Sequence, residues 1–430
     1  MRTTRIFGFL LLPLLMSCAT LPHYDPGAAC HIPTRNEAMA VQLMKAENEA
    51  VAGTPFLGGN HVVLLENGPE TYAAMQQAIT AAHTRIDMES YEFDGDAAKQ
   101  FAASLLAAQA RGVQVNLIYD AWGSKNQPQA LFDQLTKGGV HVVEYSPFDI
   151  TKLKTLDLNK RDHRKLLVID NRVVFTGGVN IAQFYENSPG IRVDNMPANA
   201  NTLPWRDTDV EITGPVVGTF ETLFLQTWTA QGGKPLPPPP APPVFPRGDT
   251  VVQAIDGAPV DDHPAIYDSL LTAIATAHKS VHLTTGFFAP PPELQEALEC
   301  AAERGVDVKI IVPGASTSDS TITAGRSHYT ELLAAGVKIY ERQGVVLHAK
   351  TAVIDGIWSV VGSSNLDWRS VVYNNEIDAV IIGRGFAGKM EVMFAQDIAA
   401  SHQVTPQAWA HRGLFERLNE ARARMVESLL

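Results

Sequence analysis

An internal duplication constrains the fold of this chain more than any other feature of its sequence. The stretch AITAAHTRIDMESYEF returns as AIATAHKSVHLTTGFF, and LLAAQARGVQVNLIYD returns as ALECAAERGVDVKIIV. Each copy reads as an Ala-rich amphipathic helix, a strand, a second helix and a β-branched strand. Alternating helices and apolar strands predict an α/β sandwich in each half, and therefore two homologous α/β domains.

A Pro-rich run over residues 232–248, GGKPLPPPPAPPVFPRG, separates the two copies. Such a run cannot form a helix or a central strand, so it predicts a stiff, extended connector. We place a first domain at residues 50–231 and a second at residues 249–400. The tail, residues 401–430, has apolar side chains at helical spacing and predicts a C-terminal amphipathic helix. That helix either packs on its own domain, which is the commoner case, or lies on a membrane.

The N-terminus reads as an export signal rather than as part of the fold. Two arginines, a short apolar run and small residues precede Cys18, and the run is too short to span a membrane. The LMSC ending resembles a bacterial lipobox, which implies removal of residues 1–17 and lipidation of Cys18. The alternative is a plain signal peptide with an incidental cysteine. Residues 18–49 would then form a lead into the first domain.

A lipidated Cys18 predicts a protein anchored in the bacterial cell envelope and facing the periplasm. Ala19, rather than Asp, follows the cysteine, which by analogy with enteric lipoproteins favours the outer membrane. In such an oxidising compartment Cys30 and Cys300 either form a disulfide or remain two buried thiols.

The charge balance bears on the binding partners. Net charge is -12, from 34 basic and 46 acidic residues, and no run of Lys or Arg occurs. Nucleic acid is therefore not an expected partner.

Both halves carry a His-x-Lys motif followed by an apolar stretch and an Asp. HRKLLVID runs from His163 to Asp170, and HAKTAVID runs from His348 to Asp355. Each motif leads into a Gly-rich turn that ends on an asparagine at the same distance along the chain. One such motif is usually an exposed strand, but two at matching positions indicate a shared function.

The residue types in the motif suit an anion. Residues i and i+2 of a strand share a face, so each motif presents an imidazole beside an ammonium group. Lysine supplies a positive charge, and a neutral histidine acts as a nucleophile or a proton shuttle. Lysine competes with a metal cation, and neither motif has a cluster of metal ligands, so we expect no metal. The predicted phosphate-binding residues are Lys165, Lys350, Asn180, Asn365 and Ser363.

Four acidic residues recur in the two copies. Asp170 and Asp355 lie an odd number of residues from their histidines, so a regular strand would point them to the opposite face. We therefore predict structural carboxylates at tight turns. The stretches WRDTDVEI and NNEIDAVI align Asp207 with Glu376, and we predict that these acids orient the histidine rings. The alternative for this pair is an ion pair at a strand entrance.

The repeated pattern H-x-K-x4-D-x6-G-G/S-x-N resembles the HKD motif of the phospholipase D superfamily. Stretches such as FFAP, ELLAAGVKIYE and VGSSNLDWRS are similar to bacterial cardiolipin synthases, and the resemblance covers most of residues 60–430. It implies two phospholipase D-like α/β sandwich domains that pack about a pseudo-twofold axis and place both motifs in one active site. It also implies a reaction without cofactor through a phosphohistidine, with His163 as nucleophile and His348 as general acid. The catalytic motif residues so implied are His163, Lys165, Asp170, His348, Lys350 and Asp355.

The resemblance implies a phosphatidyltransferase that joins glycerophospholipids, with phosphatidylglycerol and also phosphatidylethanolamine as candidate substrates. Three alternatives are a phospholipase D that transfers to water, a nuclease of the same superfamily, and an inactive binding protein. Acidic charge and the export signal disfavour the nuclease. Two complete motifs disfavour the inactive protein.

Overall fold

The computed structural model describes residues 30, 32–34, 36–147, 159–186, 203–239, 247–258, 264–316 and 318–427. The strands up to the Pro-rich run are β1 (Leu57–Glu66), β2 (Arg85–Ser90), β3 (Gln114–Asp120), β4 (His141–Tyr145), β5 (Arg161–Asp162), β6 (Lys165–Ile169), β7 (Val173–Gly177), β8 (Trp205–Arg206) and β9 (Thr208–Thr213). The helices of this part are α1 (Glu37–Ala52), α2 (Asn67–Ala81), α3 (Gly95–Ala110), α4 (Gln129–Lys137) and α5 (Val217–Ala230).

The second half repeats this order. Its strands are β10 (Thr250–Gly257), β11 (Ser280–Thr284), β12 (Phe288–Ala289), β13 (Asp307–Pro313), β14 (Lys338–Arg342), β15 (Val346–Leu347), β16 (Thr351–Ile354), β17 (Trp358–Gly362), β18 (Leu366–Asp367), β19 (Asn374–Ile382) and β20 (Ser401–Val404). Its helices are α6 (Ala265–Thr276), α7 (Pro292–Glu303), α8 (Asp319–Arg326), α9 (Tyr329–Ala335), α10 (Trp368–Val372), α11 (Arg384–Ala399), α12 (Pro406–Ala410) and α13 (Leu414–Arg424).

Sixteen of the twenty strands given above join in one continuous sheet, whereas β12 with β18 and β8 with β15 form two separate two-stranded sheets. Its order is β20-β14-β13-β11-β16-β17-β19-β10-β1-β9-β7-β6-β2-β3-β4. Apart from β20, strands at the same distance from the two ends of the sheet are equivalent strands of the two halves, and the antiparallel pair β1 and β10 lies at the centre. This is the arrangement that an approximate twofold axis requires, and the predicted duplicated α/β fold is confirmed.

Helices cover the sheet and bury the apolar faces that the sequence pattern indicates. In the first half Met75 and Ile79 of α2 and Phe101 and Leu105 of α3 pack against the strands. A further cluster joins the halves, because α5 and α11 both contact the centre of the sheet. Its members include Phe220, Phe224, Phe386, Met390, Ile212 and Ile381. Full burial of one such side chain contributes about 2 kcal/mol, so this cluster holds the two halves together.

The segment before the first repeat packs on the second half. Ala40 and Met44 of α1 are buried in the core that α6 and α7 build. Cys30 forms a disulfide with Cys300 of α7, with a Cα–Cα distance of 5.2 Å. Of the two states that the sequence left open for these cysteines, the structure therefore has the disulfide. The N-terminal segment before the first domain is therefore attached to the second half and not to the first.

The tail differs from the single amphipathic helix that we expected over residues 401–430. Its first residues form β20, which pairs with β14, and a break at Gly413 separates α12 from α13. Helix α13 packs on α8 of its own half, but it buries Glu420, which pairs with Arg412 at 2.9 Å. Its apolar side chains point outward, with Leu414 73% and Phe415 82% exposed.

The structure describes only part of the predicted linker and none of the predicted signal peptide. Residues 232–239 of the Pro-rich run contain no helix or strand, and Trp228 donates a hydrogen bond to the carbonyl of Lys234 there. The signal peptide, Cys18 and residues 240–246 lie outside the described residues. Within the described part of the chain, no helix has both the length and the apolar composition needed to cross a bilayer.

Candidate active site

Each motif histidine lies in a short extended link between two strands. His163 lies between β5 and β6, and His348 lies between β15 and β16. The expectation that both histidines lie on regular strands is therefore wrong. The reason is that β5 pairs with β19 and β15 pairs with β8, so each link first contacts the other half. The His163 N–H donates to the carbonyl of Asn375 at 2.9 Å, and the His348 N–H donates to that of Arg206 at 2.8 Å.

These links bring the two imidazoles together at one cavity. The ring centroids of His163 and His348 are 6.4 Å apart, at an interplanar angle of 71°. Both rings line a cleft that encloses about 1060 Å³ of space open to solvent, and residues of both halves form its walls. The structure therefore places the two predicted motifs in a single site.

Each imidazole is held by a carboxylate from the opposite half. Nδ1 of His163 lies 2.9 Å from Glu376 Oε2, and Nδ1 of His348 lies 2.7 Å from Asp207 Oδ2. Both carboxylates are fully buried. The alignment of the repeats found these acids, but it could not show that they serve the other half's histidine. With Nδ1 engaged, Nε2 of each ring is the nitrogen that remains for chemistry.

The two motif lysines are buried beside the histidines. Nζ of Lys165 donates to the carbonyl of His163 at 2.5 Å, and Nζ of Lys350 donates to that of His348. Both side chains are 2% exposed. Two ammonium groups are thus fixed at the site by their own backbone, which suits a phosphate anion.

The two asparagines occupy equivalent positions at the wall of the cavity. Oδ1 of Asn180 accepts a hydrogen bond from the N–H of Glu92 at 3.3 Å. Oδ1 of Asn365 accepts one from the N–H of Phe287 at 3.2 Å. Both asparagines line the cavity, with the carbonyl end of each amide anchored by backbone.

Ser363 does not take the position that we expected for a phosphate ligand. Its Oγ donates to Glu376 Oε2 at 2.6 Å and accepts from the N–H of Ile377 at 2.9 Å. The hydroxyl is therefore committed to the carboxylate that holds His163. Its role in this geometry is to fix Glu376.

Asp170 and Asp355 contact backbone N–H groups rather than an imidazole, although the motif histidines do not lie on regular strands. Asp170 accepts from the N–H groups of residues 83, 84 and 85. Asp355 accepts from those of residues 278, 279 and 280. Both have a positive φ of 54° at a tight turn. Although the resemblance includes these two residues in the catalytic motif, the structure places them as turn-stabilising carboxylates.

Burial and the lysines keep both imidazoles neutral. Burial, together with the charge of Lys165, lowers the pKa of His163 well below its ordinary value. Burial and then Lys350 lower the pKa of His348 to about 3. Burial also lowers the pKa of Lys165 to about 8 and that of Lys350 to about 7. An anion between the rings would favour the charged form of all four groups.

Several residues of the site were not identified from the sequence. The hydroxyl of Tyr185 lies 3.1 Å from His348 Nδ1 and accepts from Asn180 Nδ2. Tyr91 contacts the His163 ring edge-on at 5.1 Å, and Trp205 lies 4.9 Å from the His348 ring. These residues have no counterpart of the same type in the other copy, so the repeat gave no signal for them.

A duplicated α/β fold with two His-Lys pairs facing each other across one cavity defines a protein of the phospholipase D class. The sequence model of the family described as cardiolipin synthase, PLD-like domain, matches residues 75–186 and 270–398, which is more than half of the chain. The chain is 32% identical over 397 residues to cardiolipin synthase A of Edwardsiella ictaluri, covering 90% of this chain and 79% of that one. It is 33% identical over 395 residues to cardiolipin synthase A of Pectobacterium carotovorum, with the same coverage. The chain belongs to the cardiolipin synthase, PLD-like domain family.

Solved structures with little sequence identity share the fold. The phosphatidylserine synthase of Haemophilus influenzae superposes with a TM-score of 0.63 at 13% identity, over 90% of this chain and 100% of that one. The polyphosphate kinase of Porphyromonas gingivalis superposes with a TM-score of 0.52 at 11% identity, over 85% of this chain and 53% of that one. The two likenesses support the duplicated α/β architecture.

Proposed function

We propose that the protein is a phosphatidyltransferase that transfers a phosphatidyl group from one glycerophospholipid to a hydroxyl of another, with cardiolipin as the product. The observation that carries this proposal is the facing pair of imidazoles, each held at Nδ1 by a buried carboxylate of the other half. The relatives named cardiolipin synthase A supply the substrate class. Phosphatidylglycerol is the main candidate substrate, and phosphatidylethanolamine is a second candidate donor.

In the first step one histidine attacks the phosphorus of the donor lipid, and we assign this role to His163. A bond forms between Nε2 and phosphorus, and the bond from phosphorus to the headgroup oxygen breaks. The proton on His348 Nε2 moves to the departing oxygen, so that the headgroup leaves as an alcohol. The products of this step are a phosphatidyl-His163 and a neutral His348.

In the second step the hydroxyl of an acceptor lipid gives its proton to His348. Its oxygen attacks phosphorus, and the bond from phosphorus to His163 breaks. The phosphodiester product forms, and His348 again holds the proton with which the cycle began. Glu376 and Asp207 keep both rings in the tautomer and orientation that these transfers need.

The other polar residues stabilise the charge on the phosphate. Lys165 and Lys350 are buried, so their attraction for an anion is much stronger than in water. The resting His348 is neutral, but a phosphodiester in the cavity raises its pKa, so substrate binding draws in the proton that the first step uses. Asn180 and Asn365 complete the site with amide donors.

We also propose a place for the protein in the cell. The family indicates a bacterial protein associated with a membrane. The lipobox-like sequence supports anchoring through Cys18, exposure to the periplasm and a location at the outer membrane. Such an anchor would keep the cavity close to its lipid substrates.

The proposed function is tested by product analysis. Purified protein is mixed with vesicles of phosphatidylglycerol, with and without phosphatidylethanolamine, and the lipid products are measured. We expect cardiolipin to predominate over phosphatidic acid, because a transferase must position its acceptor and exclude water. Predominant phosphatidic acid would identify a phospholipase D instead, and absence of both products would reject phosphatidyl chemistry.

A further inference from the structure

The catalytic groups are related by the approximate twofold axis of the cavity, but the residues of its two walls differ in type. Residues 83–85 and 278–280 make the same contacts to Asp170 and Asp355, which aligns the two copies position by position. With the two copies aligned in this way, and with their equivalent strand pairs superposed, the residue types of the two walls differ at five equivalent positions. The pairs are Tyr91 and Gly286, Glu92 and Phe287, Arg161 and Val346, Arg369 and Phe184, and Asn374 and Trp205.

The first member of every pair lines the cavity on the side of His163. This set is named the polar wall here: Tyr91, Glu92, Arg161, Arg369 and Asn374. Arg161 pairs in register with Asn374, and Nη2 of Arg369 donates to the carbonyl of Asn159 at 3.2 Å. Burial raises the pKa of Tyr91, and the positive charges of Arg369 and Arg161 partly offset this rise. Arg161, Arg369 and Tyr91 thus line one side of the cavity, where Tyr91 contacts the catalytic imidazole of His163.

The opposite side, around His348, is mainly aromatic. Trp205 and Phe287 line the cavity there, with ring centroids 4.9 and 6.2 Å from His348. Phe184 stacks on Trp205 at 5.6 Å, and Val346 pairs with the strand of Trp205. The two walls would therefore bind chemically different parts of a substrate.

We propose that the polar wall binds the phosphate of a second phospholipid, the acceptor, through Arg161 and Arg369. This inference rests on the proposed function and extends it by naming what the acceptor must carry. The donor's phosphate is held by the two lysines between the imidazoles. A second, separate pair of cations in the same cavity is what an acceptor with its own phosphodiester requires, and water or a simple alcohol does not.

The chemistry of the polar wall favours a phosphate over other ligands. Arginine presents a planar set of donors that matches phosphate oxygens. Burial raises the pKa of two carboxyl groups that line the cavity, Glu92 to about 7 and Asp367 to about 6. A phosphate bound beside them would raise both pKa values further and favour their protonated forms. Asp120, 3.9 Å from Arg161, already accepts the N–H groups of Trp122 and Gly123.

The covalent structure of the headgroup suits this arrangement. In phosphatidylglycerol a glycerol separates the phosphate from the reactive hydroxyl. The polar wall and His348 line the same cavity. An acceptor whose phosphate lies on the polar wall can therefore present its hydroxyl beside His348, which takes the proton in the second step.

The test measures how the enzyme divides one donor, phosphatidylglycerol, among three acceptors: a second lipid, methanol and water. Acyl-labelled phosphatidylglycerol vesicles are supplied with methanol, and cardiolipin, phosphatidylmethanol and phosphatidic acid are measured together. We expect Arg161→Gln and Arg369→Gln to lower the ratio of cardiolipin to phosphatidylmethanol by about tenfold or more. The matched control is Arg172→Gln, which removes an exposed arginine in the turn after β6 and should leave the ratio unchanged. An equal loss of all three products, or an unchanged ratio in both cavity variants, would overturn the inference.

A binding measurement separates failure of this inference from failure of the proposed function. Glycerophosphoglycerol, the headgroup without acyl chains, is titrated into the full-length protein. The parent and Arg172→Gln should bind it alike, and the two cavity variants about tenfold more weakly, with unchanged melting temperatures. If the parent forms no phosphatidyl product, the proposed function fails. If binding does not depend on Arg161 or Arg369, the second phosphate site fails whether or not the protein is active.

Discussion

At the scale of single residues, sequence patterns identified the reacting groups but not which half of the protein each of them contacts. His163, His348 and their lysines were predicted because they recur at matching positions. The cross-over of Glu376 and Asp207 was not predicted, because a linear alignment says nothing about which half a carboxylate faces. Ser363 was misplaced for the same reason, since its hydroxyl bonds Glu376.

Neutralising an orienting carboxylate should abolish most of the activity without unfolding the protein. In Glu376→Gln and Asp207→Asn a neutral amide replaces the carboxylate at Nδ1. The amide no longer carries the charge that orients the imidazole, and its NH2 group can favour the wrong tautomer, so we expect kcat to fall by about 10³ to 10⁴. The matched control is Glu391→Gln, which removes the carboxylate 2.8 Å from Nδ1 of His282, outside the catalytic cavity. Steady-state rates with phosphatidylglycerol vesicles and a melting curve check this. Parental kcat in Glu376→Gln would show that the carboxylate has no role in catalysis.

The site should bind phosphate more weakly as pH rises. The free enzyme has a His348 pKa of about 3 and a Lys350 pKa of about 7, and a bound anion raises both. Binding near neutral pH must therefore take up protons, so kcat/KM should fall as pH rises above about 7. The measurements are a pH profile and the heat of phosphate binding in buffers with different ionisation enthalpies. Proton release on binding, or a kcat/KM that increases above pH 7, would contradict this charge arrangement.

At the scale of helices and strands, the repeated helix–strand pattern predicted the elements that form the sandwiches. It missed β5 and β15, because two-residue strands have no periodicity to read. These strands are nevertheless what carries each histidine to the other half. The tail was also misread, since β20 takes its first residues and α13 buries a glutamate instead of its apolar side chains.

The turn carboxylates should matter for stability more than for chemistry. Asp355 accepts three backbone N–H groups at the entrance of β11, and Asp355→Asn exchanges charged acceptors for a neutral one. We expect a loss of about 1–3 kcal/mol in the free energy of unfolding, with the rate per folded molecule nearly unchanged. Thermal melting and rates are compared with Asp249→Asn, an exposed aspartate in a loop. An inactive Asp355→Asn that melts like the parent would mean that this residue acts on the reaction.

At the scale of the whole molecule, the two halves are one catalytic unit. The duplication and the resemblance predicted a shared site, and the structure supplies the means: a continuous sheet, a common apolar cluster and reciprocal carboxylates. The chemically different walls were beyond sequence reasoning, because their residues become equivalent only once the copies are aligned in space. The disulfide and α1 were likewise decided by distances that a sequence does not contain.

The anchoring proposal is tested on the intact protein in bacteria. In Cys18→Ser the lipobox thiol is absent, so we expect loss of fatty-acid labelling and release from the membrane fraction or retention of the signal peptide. Cys300→Ser is the matched control, since it removes a cysteine outside the lipobox, the disulfide partner of Cys30, and should keep the label. Unchanged labelling of Cys18→Ser would rule out lipidation at this residue.

The central claim, that two halves supply one nucleophile and one acid to a single site, is tested most directly by trapping the covalent intermediate. His348→Ala is mixed with phosphatidylglycerol vesicles, quenched without acid and digested, and the phosphatidylated peptides are located by mass spectrometry. We predict one adduct per chain, on His163, because the first step can proceed slowly while the proton transfers that resolve it are lost. The same treatment of His163→Ala should give no adduct. If the only adduct found is on His348, in the His163→Ala variant, the two roles are reversed. If each histidine forms an adduct when the other is absent, the claim of a single shared site is contradicted.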